Sequence, residues 1–185
     1  MLAFVPEQVG QERDGTREAL EALNRHLELA HQAASRFRPS LPNRDEAIAE
    51  LNREVSGTEP EAKRYAGLFV ADVLTALRLR HGNEISEQLL HEVSYQHIAP
   101  AIPGGKLFRW SAQSTLVIWS SSQELMEVRS ALARSCEMPF HCHAFVGART
   151  ATFCISMRSL VLSAPAGIHE VIRAFDEFSK GTEAK

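Results

Sequence analysis

The sequence predicts an α+β fold, an α/β-type sandwich in which helices flank a central mixed, mostly antiparallel sheet behind an N-terminal helix. Three observations predict it. Short apolar runs of strand-like composition are interleaved with segments of helical spacing. Two of these runs, residues 106–110 and 115–119, are separated by a tight polar connection, which is typical of a hairpin. Hydrophobic residues make up 44% of the 185 residues, enough to build a core.

Residues 16–38 have the spacing of a helix with one apolar stripe. The stripe alternates steps of three and four residues, like the seam of a coiled coil. It predicts either a short coiled coil that joins two copies in a homodimer or an amphipathic helix packed on its own domain. Prolines follow and end the helix, so we expect one unit over residues 1–38 and a second over residues 39–185. The seam consists of Leu20, Leu23, Leu27, Ala30, Ala34 and Phe37.

The second unit begins with a capped helix. Asn43 is a suitable N-cap because its side-chain oxygen can accept a free backbone N–H, and acidic residues follow it. The apolar face of this helix comprises Ala47, Ile48, Leu51 and Val55. The later predictions, in chain order, are a buried strand over Tyr65–Val73, a helix stopped by Gly82, a helix reaching Ile98, hairpin strands over Lys106–Trp110 and Thr115–Trp119, a helix over Glu124–Ser135, strands over Phe140–Val146 and Ala151–Val161, and a helix over Gly167–Lys180.

Composition argues against several classes of protein. The net charge is -3 and no basic stripe is present, so there is no electrostatic case for nucleic acid. No apolar run approaches the roughly 20 residues that span a bilayer, and the first residues lack the basic start of a secretory signal. The 3 cysteines are irregularly spaced, which argues against a disulfide framework and favours a cytoplasmic location.

Four features follow one another along the chain: residues 41–44, the strand ending near Asp72, Gly82, and residues 109–115. In this order and spacing they resemble motifs of the GGDEF family of diguanylate cyclases. Residues 41–44, Leu-Pro-Asn-Arg, are similar to the family's L-P-N-R before its first helix. The strand ending near Asp72 and the later Gly82 are similar to D-x-D-x-F-K…N…G-H. Arg109 and residues 110–115 are similar to R-x-G-G-D-E-F. The resemblance extends over residues 39–180 and implies the central sheet and flanking helices of that family.

The resemblance also implies which residues belong to the site. In the family, two GTP molecules meet across a dimer, with divalent metal held by acidic residues. Here the matching positions carry other side chains, and only Glu87 keeps the acidic type, which implies an inactive domain without metal or cofactor. Val70, Gln113 and Ser114 fall on the carboxylates, Ser111 and Ala112 on the glycines, Thr115 on the phenylalanine, Thr75 on the phosphate-contacting lysine, Arg78 and Glu87 on the guanine contacts, and Ile102 and Gly105 on the R-x-x-D feedback site.

A second set of residues has the chemistry of zinc ligands. It comprises Cys136, His141, Cys142, His143 and Cys154. Strand alternation places His141 and His143 on one face and Cys142 on the other, and no C-x-x-C pair is present. We therefore expect no metal here. Trp110 and Trp119 could stack a nucleic-acid base, but no basic groove accompanies them. We therefore expect both tryptophans to pack in the core or at an interface.

Three functions are compatible with these observations. We expect foremost a catalytically inactive GGDEF-like domain that serves as a signalling, dimerisation or protein-interaction module. One alternative is a non-catalytic sensor that binds GTP or c-di-GMP. The other is an enzyme related to diguanylate cyclases with a divergent site. The expected partner is a second copy of the chain, joined through the N-terminal helix.

Overall fold

A computed structural model describes residues 40–56, 63–147, 149–163 and 167–181, together with Arg17, Glu21 and Ala22. The chain divides into two compact units, Met1–Pro39 and Ser40–Lys185. In the first unit the three described residues are helical, and Arg17 pairs with Glu21 at 3.2 Å. The predicted dimer seam, from Leu20 to Phe37, lies outside the described residues and stays a prediction.

The first helix of the second unit, α1 (Arg44–Ser56), begins at the predicted cap. Asn43 Oδ1 accepts the Glu46 N–H at 3.0 Å, and Glu46 Oε2 accepts the Asn43 N–H at 2.7 Å. This reciprocal pair is a capping box, which satisfies two backbone donors at once. Ala47 and Leu51 on the predicted apolar face are buried, so the cap and these two core positions are confirmed.

The strands form two sheets. They are β1 (Lys63–Val70), β2 (Lys106–Ser111), β3 (Ser114–Ser121), β4 (Phe140–Val146), β5 (Arg149–Ile155) and β6 (Arg158–Ser163). Four of them are ordered β2-β3-β1-β6, and β4 pairs with β5 separately. All the described pairings are antiparallel. The predicted mostly antiparallel sheet with flanking helices is therefore confirmed.

The later helices are α2 (Val73–His81), α3 (Asn83–Val93), α4 (Leu125–Glu137) and α5 (Ile168–Ser179). After α3 the chain continues through one wider π-helical turn, Ser94–Ile98, and a last α-helical turn, Ala99–Ala101. In the part of the chain that the structure describes, no helix is both long and apolar enough to cross a membrane.

The four-stranded sheet separates two apolar layers. On one face, Val171 and Phe175 of α5 pack with α1 and with Leu68 and Val70 of β1. On the other face, the apolar sides of α2, α3, α4 and the β4–β5 hairpin form a larger cluster around Phe69. Successive residues of β1 serve opposite layers because side chains alternate along a strand. This explains why β1 is an uninterrupted apolar run in the sequence.

Two predicted boundaries are wrong. The single strand expected over Ala151–Val161 is two strands, because the chain leaves the β4–β5 sheet after Ile155 and joins the main sheet at Arg158. Both halves have strand composition, so the sequence pattern does not mark the change of partner. The first strand ends at Val70 rather than Val73, because Val73 already begins α2.

Candidate functional site

The hairpin that carries the family-like signature turns between β2 and β3. Ser111 and Ser114 are its last paired residues, so Ala112 and Gln113 form a two-residue tip. The pairing register shifts between Arg109 and Ser111, as at a β-bulge. Among the described residues only glycines have positive φ. The tip therefore needs no left-handed backbone, and non-glycine residues fit it without strain.

Gln113 connects the tip to two helices. Its Oε1 accepts a hydrogen bond from Thr75 Oγ1 in the first turn of α2. Its Nε2 donates to the Ser179 carbonyl at the end of α5, at 3.3 Å. Its backbone carbonyl accepts the Ala71 N–H at 2.9 Å. The side chain at the position of a metal-binding carboxylate is thus an amide held by protein groups at both of its polar atoms.

Val70 and Ser114, the other two positions matched to carboxylates, lie directly opposite each other on β1 and β3. Both are fully buried. Ser114 Oγ lies 2.6 Å from Ser111 Oγ, and Val70 belongs to the apolar layer that contains Phe175. The structure therefore brings Val70 and Ser114 together. Val70 contributes a hydrocarbon side chain there, and Ser114 contributes a hydroxyl that is already hydrogen-bonded.

Asp72 and Glu87 are acidic side chains near the hairpin, and each is paired with an arginine. Arg158 on β6 donates from Nε and Nη2 to the two carboxylate oxygens of Asp72, at 2.7 and 3.1 Å. Arg109 on β2 donates to Glu87 Oε1 at 3.1 Å. Because both pairs are partly exposed, each contributes little to stability. Each nevertheless sets a positive charge against the carboxylate.

These residues do not fit a divalent cation. Such ions take oxygen ligands, usually including charged carboxylates. Val70 has no oxygen in its side chain, Gln113 and Ser114 are uncharged and already hydrogen-bonded, and Asp72 is held by Arg158. In the described ranges, no three His, Cys, Asp or Glu side chains are grouped to hold a metal.

The last signature position, Thr115, is buried in the main sheet. Its Oγ1 lies 2.7 Å from Ser94 Oγ, at the start of the π-helical turn, and both residues have no exposed surface. Arg78 lies on α2, one turn beyond Thr75. Thr75 thus connects α2 to the hairpin tip, and Thr115 connects β3 to the π-helical turn after α3, so both have a structural role.

The positions matched to the R-x-x-D feedback site form a tight turn before β2. Ile102 is buried, and its carbonyl accepts the Gly105 N–H at 3.0 Å. A Cβ added at Gly105 would lie 2.7 Å from Val117 Cγ1, so a side chain does not fit there without displacement.

A cavity of about 160 Å³ opens beside this turn. Its lining, which includes Pro103 and Trp119, carries no charged residue. It offers no ionic partner to a phosphate.

Arg44 of the L-P-N-R segment connects three elements. It donates to both carboxylate oxygens of Asp176 on α5, at 2.9 and 2.7 Å. Its guanidinium lies 4.6 Å from the ring centre of Trp110, whose Nε1 donates to the same Asp176 at 3.2 Å. Phe175 packs edge-on against that ring. Trp110 is therefore a packing residue between the hairpin and α5, and Trp119 is buried as well.

The strand alternation predicted around Cys142 is confirmed. His141 lies opposite Cys154 and His143 opposite Thr152 on the exposed face of the β4–β5 hairpin, whereas Cys142 is buried on the other face. Burial raises the pKa of the Cys142 thiol to about 12, which keeps it protonated and poorly nucleophilic. Cys136, on α4, has its thiol pKa raised by burial too.

Three residues of the site were missed from the sequence. Ser179, Asp176 and Arg158 are hydrogen-bonded to Gln113, Trp110 and Asp72, respectively, each 66 or more residues away in the sequence. Ser179 acts through its backbone carbonyl, so its side-chain type carries no signal. Arg158 and Asp176 are ordinary charged residues on amphipathic elements, and only the fold shows what they face.

The described structure is similar to crystal structures of GGDEF domains. One is a diguanylate cyclase/phosphodiesterase from Caldicellulosiruptor saccharolyticus, with 18% identity, a TM-score of 0.56, and coverage of 74% of this chain and 78% of that one. A second is the coiled coil and GGDEF domain of DgcB from Caulobacter crescentus in complex with c-di-GMP, with 17% identity, a TM-score of 0.56, and coverage of 91% and 90%.

A third is diguanylate cyclase SiaD from Pseudomonas aeruginosa in complex with its activator SiaC, with 16% identity, a TM-score of 0.55, and coverage of 92% of this chain and 67% of that one. No protein-family model matches the sequence, and no curated protein matches it. At these identities the likeness concerns the backbone, and it agrees with the element order and hairpin described above. The chain has the fold of the GGDEF domains of diguanylate cyclases.

Proposed function

We propose that the chain is a catalytically inactive GGDEF-fold domain that serves as a signalling, dimerisation or protein-interaction module. The observation that carries the proposal is Gln113, held between Thr75 and the Ser179 carbonyl at the hairpin tip. An amide in this place donates and accepts within the protein, and it brings no negative charge to attract a metal. The side chain therefore connects elements of the scaffold where the resemblance implies a ligand.

The electrostatics of the neighbouring residues support the same proposal. A metal–GTP complex needs anionic ligands for the metal and cationic partners for the phosphates. Here the cations Arg158 and Arg109 face the carboxylates of Asp72 and Glu87. The arginines and the carboxylates therefore already neutralise each other. A metal–GTP complex would have to break both ion pairs and also the Gln113 hydrogen bonds.

A homodimer is part of the proposal, with the seam Leu20–Phe37 as its interface. The seam spacing suits a short parallel coiled coil. DgcB, whose coiled coil and GGDEF domain were solved together, is similar over 91% of this chain. The likeness to SiaD, which binds an activator protein, similarly favours a role in protein interaction.

Incubation with GTP and Mg²⁺ or Mn²⁺, analysed by chromatography, tests the loss of catalysis. We expect no c-di-GMP and no pyrophosphate, whereas an active diguanylate cyclase under the same conditions forms both. Calorimetry with GTP, GDP and c-di-GMP separates the other possibilities. Binding heat without turnover would make the chain a nucleotide sensor, and turnover would make it a cyclase with a divergent site.

Light scattering of the full chain tests the dimer. Charges introduced by Leu23→Glu and Leu27→Glu lie on the seam and should shift the mass from dimer to monomer. The matched control is Glu28→Ala, which lies off the seam and should leave the mass unchanged. A wild-type protein that is monomeric at high concentration contradicts the dimer.

A further inference from the structure

The outer edge of β4 is covered by side chains of α3. The His143 N–H donates to Glu92 Oε1 at 3.1 Å, and the Phe145 N–H donates to Gln88 Oε1 at 3.3 Å. These two N–H groups therefore point away from β5. In an antiparallel pair, a residue whose N–H points outward belongs to a non-hydrogen-bonded pair, and so does its partner. These two contacts therefore determine which backbone N–H and C=O groups of β5 point away from β4.

Thr152 lies opposite His143, and Thr150 lies opposite Phe145. Both threonines therefore also direct their backbone N–H and C=O groups outward, away from β4. Cys154, two residues further on the same strand, does the same by the alternation of the ladder. Among the described residues, β5 pairs with β4 alone, and the side chains of Thr150, Thr152 and Cys154 are exposed.

Other strand edges have contacts that the described residues do not make to the outer edge of β5. On β2, the Arg109 N–H donates to the Pro42 carbonyl at 2.7 Å. On β6, the Val161 carbonyl accepts a hydrogen bond from Arg129 Nε at 2.9 Å. Natural edge strands are commonly protected by lysine, proline or a covering element. Strand β5 contains neither lysine nor proline, so its edge is suited to pair with another strand.

We propose that a second copy of this chain pairs with β5 along this edge, antiparallel, with the two-fold axis at Thr152. Three outward residues with Thr152 at their centre make the strand complementary to itself. Thr150 faces Cys154 of the second copy, and Thr152 faces its own counterpart, so about six backbone hydrogen bonds form. The two hairpins then make one four-stranded sheet.

Charge and side-chain type favour a second copy as the occupant. The only charged residue of β5 is Arg149, and this register places it opposite Ile155 of the second copy, so no like charges meet. Threonine opposite threonine is a favourable cross-strand pair. The contact uses residues 149–155 and is independent of the helical seam, so either interface can fail while the other stands.

Disulfide trapping of the full chain tests the register. Thr152→Cys, combined with Cys154→Ser to remove the exposed native thiol, places the new cysteine opposite itself across the axis. Hydrogen-bonded partners have Cα atoms about 5.5 Å apart, within disulfide reach. We expect mild oxidation to give at least about tenfold more cross-linked dimer than the matched control, Thr150→Cys with Cys154→Ser.

The control is informative because residue 150 and its counterpart lie four positions out of register, about 13 Å apart. Thr150→Cys with Cys154 retained should cross-link again, because those two positions face each other. Equal trapping of residues 150 and 152 in the Cys154→Ser background refutes the register. Because all the substituted side chains are exposed, unchanged thermal melts should accompany every variant.

Sedimentation of the full chain tests the pairing without cross-links. Thr152→Lys brings two positive charges together at the axis and should lower the dimer fraction severalfold, whereas Thr152→Val should preserve it. A dimer that survives Thr152→Lys but is dissociated by the Leu23 and Leu27 charges refutes β5 pairing and supports the seam. Loss through Thr152→Lys alone supports β5 pairing.

Discussion

The buried hydroxyl pair of Ser94 and Thr115 gives an unequal mutational response. Ser94 Oγ donates its only hydrogen to the Leu90 carbonyl at 2.7 Å. It can therefore only accept at its 2.7 Å contact with Thr115, and the Thr115 hydroxyl is the donor. Both residues have no exposed surface, so water does not replace a lost partner.

The two single substitutions should therefore differ in cost. Ser94→Ala leaves the Thr115 O–H buried without an acceptor, which costs about 1–3 kcal/mol of the free energy of unfolding. Thr115→Val keeps the shape of the side chain, and Ser94 retains its bond to Leu90; we expect a loss of about 0.5–1.5 kcal/mol. For a chain of this size, each kcal/mol lowers the melting temperature by about 2–4 °C.

The double variant decides whether the hydroxyls are coupled. Once Thr115 is valine, Ser94→Ala strands no donor, so the double variant should be about 1 kcal/mol more stable than the sum of the single losses predicts. Urea titrations followed by circular dichroism measure all four proteins. Losses that add within about 0.3 kcal/mol, or a costlier Thr115→Val, would refute the assigned donor direction.

Three other predictions concern packing, thiol reactivity and pH. Phe175 is fully buried, so Phe175→Ala should cost about 3–5 kcal/mol in urea unfolding, and Phe175→Leu clearly less. Burial raises the Cys142 pKa to about 12, so alkylation at pH 8 followed by mass spectrometry should modify exposed Cys154 first; equal rates would contradict the burial. A hydrogen bond from Lys106 lowers the pKa of Glu50. The ionised Glu50 carboxylate therefore stabilises the fold above its unfolded pKa of about 4.3, and this contribution is lost as pH falls through its lowered pKa in the folded protein. Glu50→Gln should make the free energy of unfolding depend less on pH in the acid range.

Local patterns determined much of the fold. The cap at Asn43, the buried face of α1 and the β2–β3 hairpin all follow from residues within a few positions of each other, because capping and amphipathic spacing are local properties. The absence of a carboxylate among residues 109–115 is likewise visible in the sequence. These are the observations on which the expectation of an inactive domain rests.

The tertiary structure decided what occupies the site instead. Arg44 meets Asp176 132 residues away, and Asp72 meets Arg158 86 residues away. Such pairs depend on which elements the fold brings together, and no spacing along the chain encodes them. The change of partner sheet between Ile155 and Arg158 is of the same kind, since strand composition is alike on both sides.

The sequence by itself thus determined that the signature hairpin lacks metal-binding acids, because side-chain identity needs no coordinates. Only the tertiary structure decided that Gln113 is hydrogen-bonded to α2 and to the end of α5, and that β5 keeps an unpaired edge among the described residues. The physical reason is that hydrogen bonds are short and directional. Their partners are fixed by packing in three dimensions, whereas chemical type is fixed by the chain.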